Sequence, residues 1–359
     1  MTSWRYLSIE QLSQTTAAVD FAGLIREDES VSRPRLKLMG RARDHHELEA
    51  ASQRNVTVPP VRHYRINNPI VVDDGIVLVD GYAISESVRD FHYGHYKYFS
   101  ITSDEILLHV VPHENDIGGL LLKKKGNTNY GHWLIELLPK LFLLSSTNTV
   151  DHVIVHKPSP GFEFISTMYR ATIGTIRRHI KINPIPRVAT RVAAIDFVTG
   201  VSSLRNFFNP AIVDMVEHIK KNTHAREGNR KLFVIRPRSA GRQLVNTDEV
   251  ERFFVGQGFE IIEPSSLRFE EQVKMFSEAK EVFGIMGAAM CNTIFSPKTA
   301  RVGYISPSYM LGSFYLEMET AMKRNEVSMI FGPSVTMRAN SKDDFFINLD
   351  DIKKMYFEK

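Results

Sequence analysis

Three clusters in this sequence have residue types and spacings suited to chemistry. The first is Asn127-Thr-Asn-Tyr-Gly-His-Trp-Leu-Ile-Glu-Leu-Leu-Pro139, where His132 and Glu136 stand four residues apart and so share one helix face. A carboxylate beside an imidazole orients the ring and raises its basicity, which is how a general base is built. The same spacing also serves as a core hydrogen bond or a cap, and Trp133 can be a sugar-stacking ring or an ordinary core residue. The second cluster, Arg236-Pro-Arg-Ser-Ala-Gly-Arg242, directly follows the apolar run Leu232-Phe-Val-Ile235. Open α/β sheets bind ligands beyond the carboxyl ends of their strands. Guanidinium forks from Arg236, Arg238 and Arg242 would match a diphosphate there, and a solvated basic loop is the bland alternative. The third, Gly284-Ile-Met-Gly-Ala-Ala-Met-Cys-Asn292, is a strand end entering a helix through small residues. Such a turn seats a phosphate on exposed N–H groups or packs a helix tightly on a sheet.

Other chemistries find little support. There is no Asp-x-Asp triplet and no His/Cys cluster with zinc spacing, so no metal and no cofactor are expected. Asp44-His-His-Glu47 reads as surface. The lone Cys291 excludes an intrachain disulfide and fits a reducing, cytoplasmic compartment. A net charge of +4, from 45 basic and 41 acidic residues, suits a local anion site and not nucleic acid. No signal peptide and no membrane-length apolar run stand out.

These clusters must be held by elements, and 359 residues suffice for two domains. Residues 1 to about 60 are charged and irregular, and the basic run from Arg33 to Arg43 reads as solvated. Pro69 to Asp80 predicts two short β segments around an Asp73-Asp74-Gly75 turn. Short apolar runs then alternate with helical stretches, with His152–His156 strand-like and 162–173 helical. Asn209-Pro210 starts a helix. The last third predicts strands at 232–235, 259–262, 281–284 and 302–305, parallel in one sheet, with helices over 248–256 and 269–279. The expected division is 1–208, an N-terminal acceptor-side domain that is β-rich to about 110, and 209–359, a C-terminal Rossmann-like domain.

Taken in order, 129–139, Arg236-Pro-Arg-Ser-Ala-Gly-Arg-Gln-Leu-Val-Asn246, Phe269-Glu-Glu-Gln272 and Gly287-Ala-Ala-Met-Cys-Asn-Thr-Ile-Phe295 resemble the signature of glycosyltransferase family 61. The resemblance covers roughly residues 120 to 325. It implies an α/β, GT-B-like fold of two facing Rossmann-type domains and inverting transfer from a nucleotide sugar, taken as a UDP-sugar, without an essential metal. Arg236, Arg238, Arg242, Asn246, Gln272, Gly287, Ala288, Ala289 and Asn292 would then bind the donor. His132 or Glu136 would activate the acceptor, with Asn129, Tyr130 and Trp133 on the acceptor side. Met286 and Ala289 depart from the family's His and second Gly. The chain resembles bacterial members of capsule, exopolysaccharide or lipopolysaccharide assembly, whose acceptor is a glycan or a lipid-linked glycan. A lipid-linked acceptor would bring the protein to the periphery of the inner membrane. Rival readings are a polysaccharide pyruvyl transferase and a catalytically silent subunit of a polysaccharide assembly complex.

Overall fold

The computed structural model describes residues 5–72, 75–88, 110–112, 118–148, 150–157, 163–186, 188–203, 207–237, 241–336 and 343–358. The chain forms two compact units, Met1–Glu29 with Val58–Leu204 and Ser30–Thr57 with Arg205–Lys359.

The second unit is built on a six-stranded sheet. Its strands run in the order Glu260–Ile262, Arg230–Val234, Ala279–Ile285, Arg301–Pro307, Glu326–Gly332 and Arg35–Met39, and every pairing is parallel. The four expected strands are all in this sheet. Leu232, Phe233, Val234, Val282 and Phe283 are buried, which is the near-continuous apolar reading of strands covered on both faces. In chain order, leaving aside the N-terminal strand, this is a 2-1-3-4-5 doubly wound sheet. The order reverses between Arg230–Val234 and Ala279–Ile285, and that switch point is where such sheets open a crevice. Aromatic rings fill one core: Phe254 stacks on Phe233 at 4.3 Å, with Phe259, Phe283 and Tyr356 around them.

The division differs from a simple cut at residue 208. Residues 30–57 return to the second unit because Arg35–Met39, with its Arg-Leu-Lys-Leu alternation, adds an edge strand beside Glu326–Gly332. The solvated reading of Arg33 and Asp44 is therefore corrected. Arg33 pairs with the buried Glu317 at 2.7 Å and also reaches the carbonyls of Ala51 and Arg54. Asp44, 6% exposed, accepts the N–H groups of Gly312 and Ser313 and so satisfies the open donors of the helix Ser313–Ala321.

The first unit contains two six-stranded sheets. One joins Arg5–Leu7, Tyr82–Ile84, Ile76–Val79, Ile70–Val72, Thr190–Arg191 and Val111–Pro112. Its hairpin pairs Val72 with Ile76; Asp73 and Asp74 lie outside the described residues. The other sheet runs Lys181–Ile185, His152–His156, Gly118–Leu122, Ala194–Thr199, Val61–Asn67 and Val19–Arg26. Its first four strands are parallel and the last two are added antiparallel, so it is less regular than a Rossmann-type sheet. Gly118–Leu122 is followed by its neighbour on one side, and the chain later returns to its other side. Its carboxyl end is therefore this sheet's switch point. Among the described residues no helix is long and apolar enough to cross a membrane.

Candidate functional site

The chain that leaves Gly118–Leu122 turns through 123–129 and enters a helix at Tyr130. Asn129 caps it, its side-chain oxygen accepting the N–H of Gly131 at 2.9 Å and that of His132 at 3.4 Å. Trp133–Leu137 then form a π-helical turn before the α-helix Leu138–Thr147 resumes. Such wide turns are rare and cluster at functional sites. Here the turn separates two environments. Trp133 is fully buried, stacked on Tyr169 with centroids 4.0 Å apart and donating its Nε1–H to Thr172 at 2.8 Å. Its ring has no face left for a sugar, which corrects the acceptor-side reading of Trp133 in favour of a core residue. His132, 30% exposed, sends Nδ1 onto Oε2 of Glu136.

Glu136 is fully buried and ionised. Its other oxygen receives the Lys124 ammonium at 2.5 Å. Burial pushes the carboxyl upward, but Lys124 and His132 outweigh it and hold the group down at about 2. A sealed carboxylate cannot meet a substrate hydroxyl; of the two residues expected to include a base, His132 is the partly exposed one and Glu136 the buried partner of its ring. Gly126, at φ +83°, allows the turn to close on the ring, since a Cβ there would sit 2.8 Å from Cδ2 of His132. Tyr130 is half-buried and Asn129 exposed beside it.

In the second unit, Arg236 leaves the carboxyl end of Arg230–Val234 and Gly287 that of Ala279–Ile285, the two strands flanking the switch point. They touch. Arg236 donates to the carbonyls of Met286 at 3.3 Å and Gly241 at 3.2 Å, and a Cβ on Gly287 would collide with its Nη1. Arg242, in the left-handed region at φ +68°, turns Nη1 onto the Met310 thioether at 2.8 Å. The Nε–H groups of both arginines are buried without a partner, and among the described residues no carboxylate pairs with either. Burial, and then the charge of Arg242, bring the Arg236 guanidinium down to about 10. Tyr309 and Tyr315 adjoin the pair, and burial raises both phenols. Arg238 lies outside the described residues.

The remaining expected donor residues are occupied internally. Asn292 donates to Gln272 at 2.8 Å and Gln272 to the Leu267 carbonyl at 3.0 Å, tying the helix Phe269–Ser277 to the segment after Gly287. The Asn246 amide donates to the Ile347 carbonyl at 2.8 Å and accepts the Ile347 N–H at 3.3 Å. The expected helix after the strand is the 3-10 helix Ala288–Phe295, and the Gly287 N–H is taken by the Tyr315 hydroxyl. Ala288 and Ala289 are half-buried at its start. Its far end is anchored by a sealed network in which Glu319 accepts from Arg324, Tyr304 and Thr293. Among the described residues no group of three potential metal-ligating side chains converges.

Lys124, Tyr309, Met310 and Tyr315 escaped the sequence reading. Lys124 was visible as the middle of a Lys123-Lys124-Lys125 run closing an apolar strand. The others fall in a stretch without periodicity.

Residues 130–303 match the family model described as Glycosyltransferase 61, an interval that runs from the His132 helix through Arg236, Arg242 and Gly287. The match makes this chain an enzyme of the glycosyltransferase class, which joins a sugar donor to an acceptor in glycan synthesis. No curated protein matches the chain.

Proposed function

We propose that the protein is an inverting glycosyltransferase of polysaccharide assembly. It uses a nucleotide-sugar donor, with the two units serving as the donor and acceptor halves of a GT-B-like enzyme. The observation that carries this reading is the Arg236–Arg242 pair at the sheet's switch point, two half-buried cations with which no carboxylate among the described residues pairs. A leaving diphosphate accumulates charge in sugar transfer, and pre-aligned guanidinium groups stabilise that charge without reorganisation. They supply the charge that a bound divalent ion supplies in metal-dependent transferases, so the reading includes metal independence. His132, aimed by Glu136, takes the proton of the acceptor hydroxyl as that oxygen attacks the anomeric carbon, and the carbon–phosphate oxygen bond breaks on the opposite face. The acceptor is a glycan, free or lipid-linked, and the setting is a bacterial cytoplasm.

The test is calorimetric titration of the full chain with uridine, guanosine and cytidine diphosphates, followed by turnover of the matching nucleotide sugars with and without EDTA. One diphosphate should bind, the affinity should fall at least tenfold in Arg242→Ala, and turnover should survive the chelator. Binding unaffected by that substitution would remove the donor assignment.

A further inference from the structure

We infer that Lys124 is a positioning residue that sets the protonation balance of the Glu136–His132 pair, sharing the carboxylate so that the pair gives up its shared proton at a lower pH. The inference rests on the reading of His132 as the acceptor's base and deepens it. One carboxylate stands between two nitrogen groups: Oε1 meets Lys124 Nζ at 2.5 Å, and Oε2 meets His132 Nδ1. With Glu136 fully buried, water can do little to screen this interaction. A carboxylate facing an imidazole alone raises the proton affinity of the ring, and a ring that already carries the proton cannot act as a base. The Lys124 ammonium already neutralises that carboxylate, so a proton on His132 gives the cluster a net positive charge in a poorly solvated corner.

Among the described residues, the elements packed on this corner carry these other titratable groups. On the turn, Lys123 is directed to the Pro186 carbonyl at 2.6 Å, and Lys125 follows Lys124 in sequence. Tyr169, from the helix Glu163–Ile176, donates to the Asn127 carbonyl, and Tyr130 belongs to the His132 helix itself. Lys124 is placed on the Glu136 carboxylate. Arg can donate to the same oxygen, which separates the charge of Lys124 from its shape experimentally.

Removing one unit charge a single carboxylate's span away changes proton affinity by roughly tenfold or more at the effective dielectric of protein interiors. Because the two groups are coupled, the change belongs to the pair. The test is histidine-detected NMR titration of the full chain, with His132 assigned through His132→Gln, alongside the pH profile of kcat/KM. In Lys124→Met the pair should hold its shared proton to a pH about one unit higher, and the acid limb of kcat/KM should move up with it. Lys124→Arg should return both to the parental position. Should Lys124→Met not fold, Lys124→Gln, which keeps a hydrogen bond to Oε1 without the charge, is read in the same way. A midpoint unchanged by loss of the charge overturns the inference. A midpoint that moves while the acid limb stays put upholds the role of Lys124 and removes His132 as the base.

Discussion

The two units bring strong charges to the switch points of their sheets and treat them in opposite ways. Around Glu136 the charges are closed on one another: a sealed carboxylate lies between Lys124 and His132, with a glycine turn pressed on the ring. At Arg236 and Arg242 they are left open. The guanidinium groups lean on carbonyls and a thioether, repel each other, and keep their Nε–H groups unpaired. A closed set holds one group in one orientation. An open set carries a cost that an incoming anion relieves. Charge alone therefore does not mark a binding site; whether it is already answered does.

The largest effect should come from breaking the closed set. His132→Ala is expected to lower kcat by about 10²–10⁴-fold while nucleoside diphosphate affinity stays near parental. Arg242→Ala should show the converse weighting, with affinity lost first. Calorimetry and steady-state kinetics on both variants separate the two. If His132→Ala weakened diphosphate binding as much as Arg242→Ala, the division of labour would be wrong.

Next in size is the effect of Glu136 on stability. Its folded-state value of about 2 lies below the ordinary 4.5. It therefore contributes stability that is fully present above the ordinary value and is lost as the pH falls from about 4.5 to about 2. The shift corresponds to about 3 kcal/mol at neutral pH. Denaturant unfolding followed between pH 7 and 2 should show this loss, and Glu136→Gln should flatten the profile. An identical acid slope in that variant would mean that Lys124 and His132 do not hold the carboxylate as described.

Much of this arrangement was legible beforehand, for physical reasons that differ from residue to residue. Strands at 232–235, 281–284 and 302–305 announce themselves because both faces are buried and the run is apolar. The edge strand Arg35–Met39 carries the alternation of a half-covered strand, but its partner Glu326–Gly332 lies far along the chain, and local pattern does not report such pairing. The i, i+4 spacing of His132 and Glu136 was visible, whereas the π-helical turn that buries Glu136 and seals Trp133 is set by packing on Tyr169 and Thr172. Gln272 and Asn292 look like ligand-binding amides in sequence. They are each other's partners in the fold, and no spacing rule distinguishes the two cases.

A third effect, smaller, concerns the open set. An anion that binds only the folded chain raises its stability by mass action, about 2.7 kcal/mol at one hundred times Kd, which in a chain of this size is a rise in Tm of a few degrees. The shift should appear with the cognate diphosphate and be lost in Arg236→Gln. It should shrink with added salt, because the contact is ionic. A Tm rise that persisted in Arg236→Gln would place the anion elsewhere.

The smallest expected effect, and the most local, is that of Gly287→Ala. Gly287 sits at φ 174° and ψ 177°, an extended conformation open to any residue, so alanine introduces no backbone strain. What it introduces is one methyl group directed at Arg236 Nη1, the charged end of a long side chain that can swing away. The fold should therefore tolerate the change, with unfolding free energy altered by less than about 1 kcal/mol. The guanidinium should not tolerate it as well, since moving Nη1 off the Met286 carbonyl turns the fork away from the position shared with Arg242. Diphosphate affinity is expected to fall by about tenfold, the equivalent of one good charge-assisted hydrogen bond, while kcat at saturating donor changes little. Unfolding, calorimetry and kinetics on this single variant resolve the three quantities. Parental affinity in a folded Gly287→Ala chain would show that Arg236 is not held where the donor needs it, and the open set would then reduce to Arg242 alone.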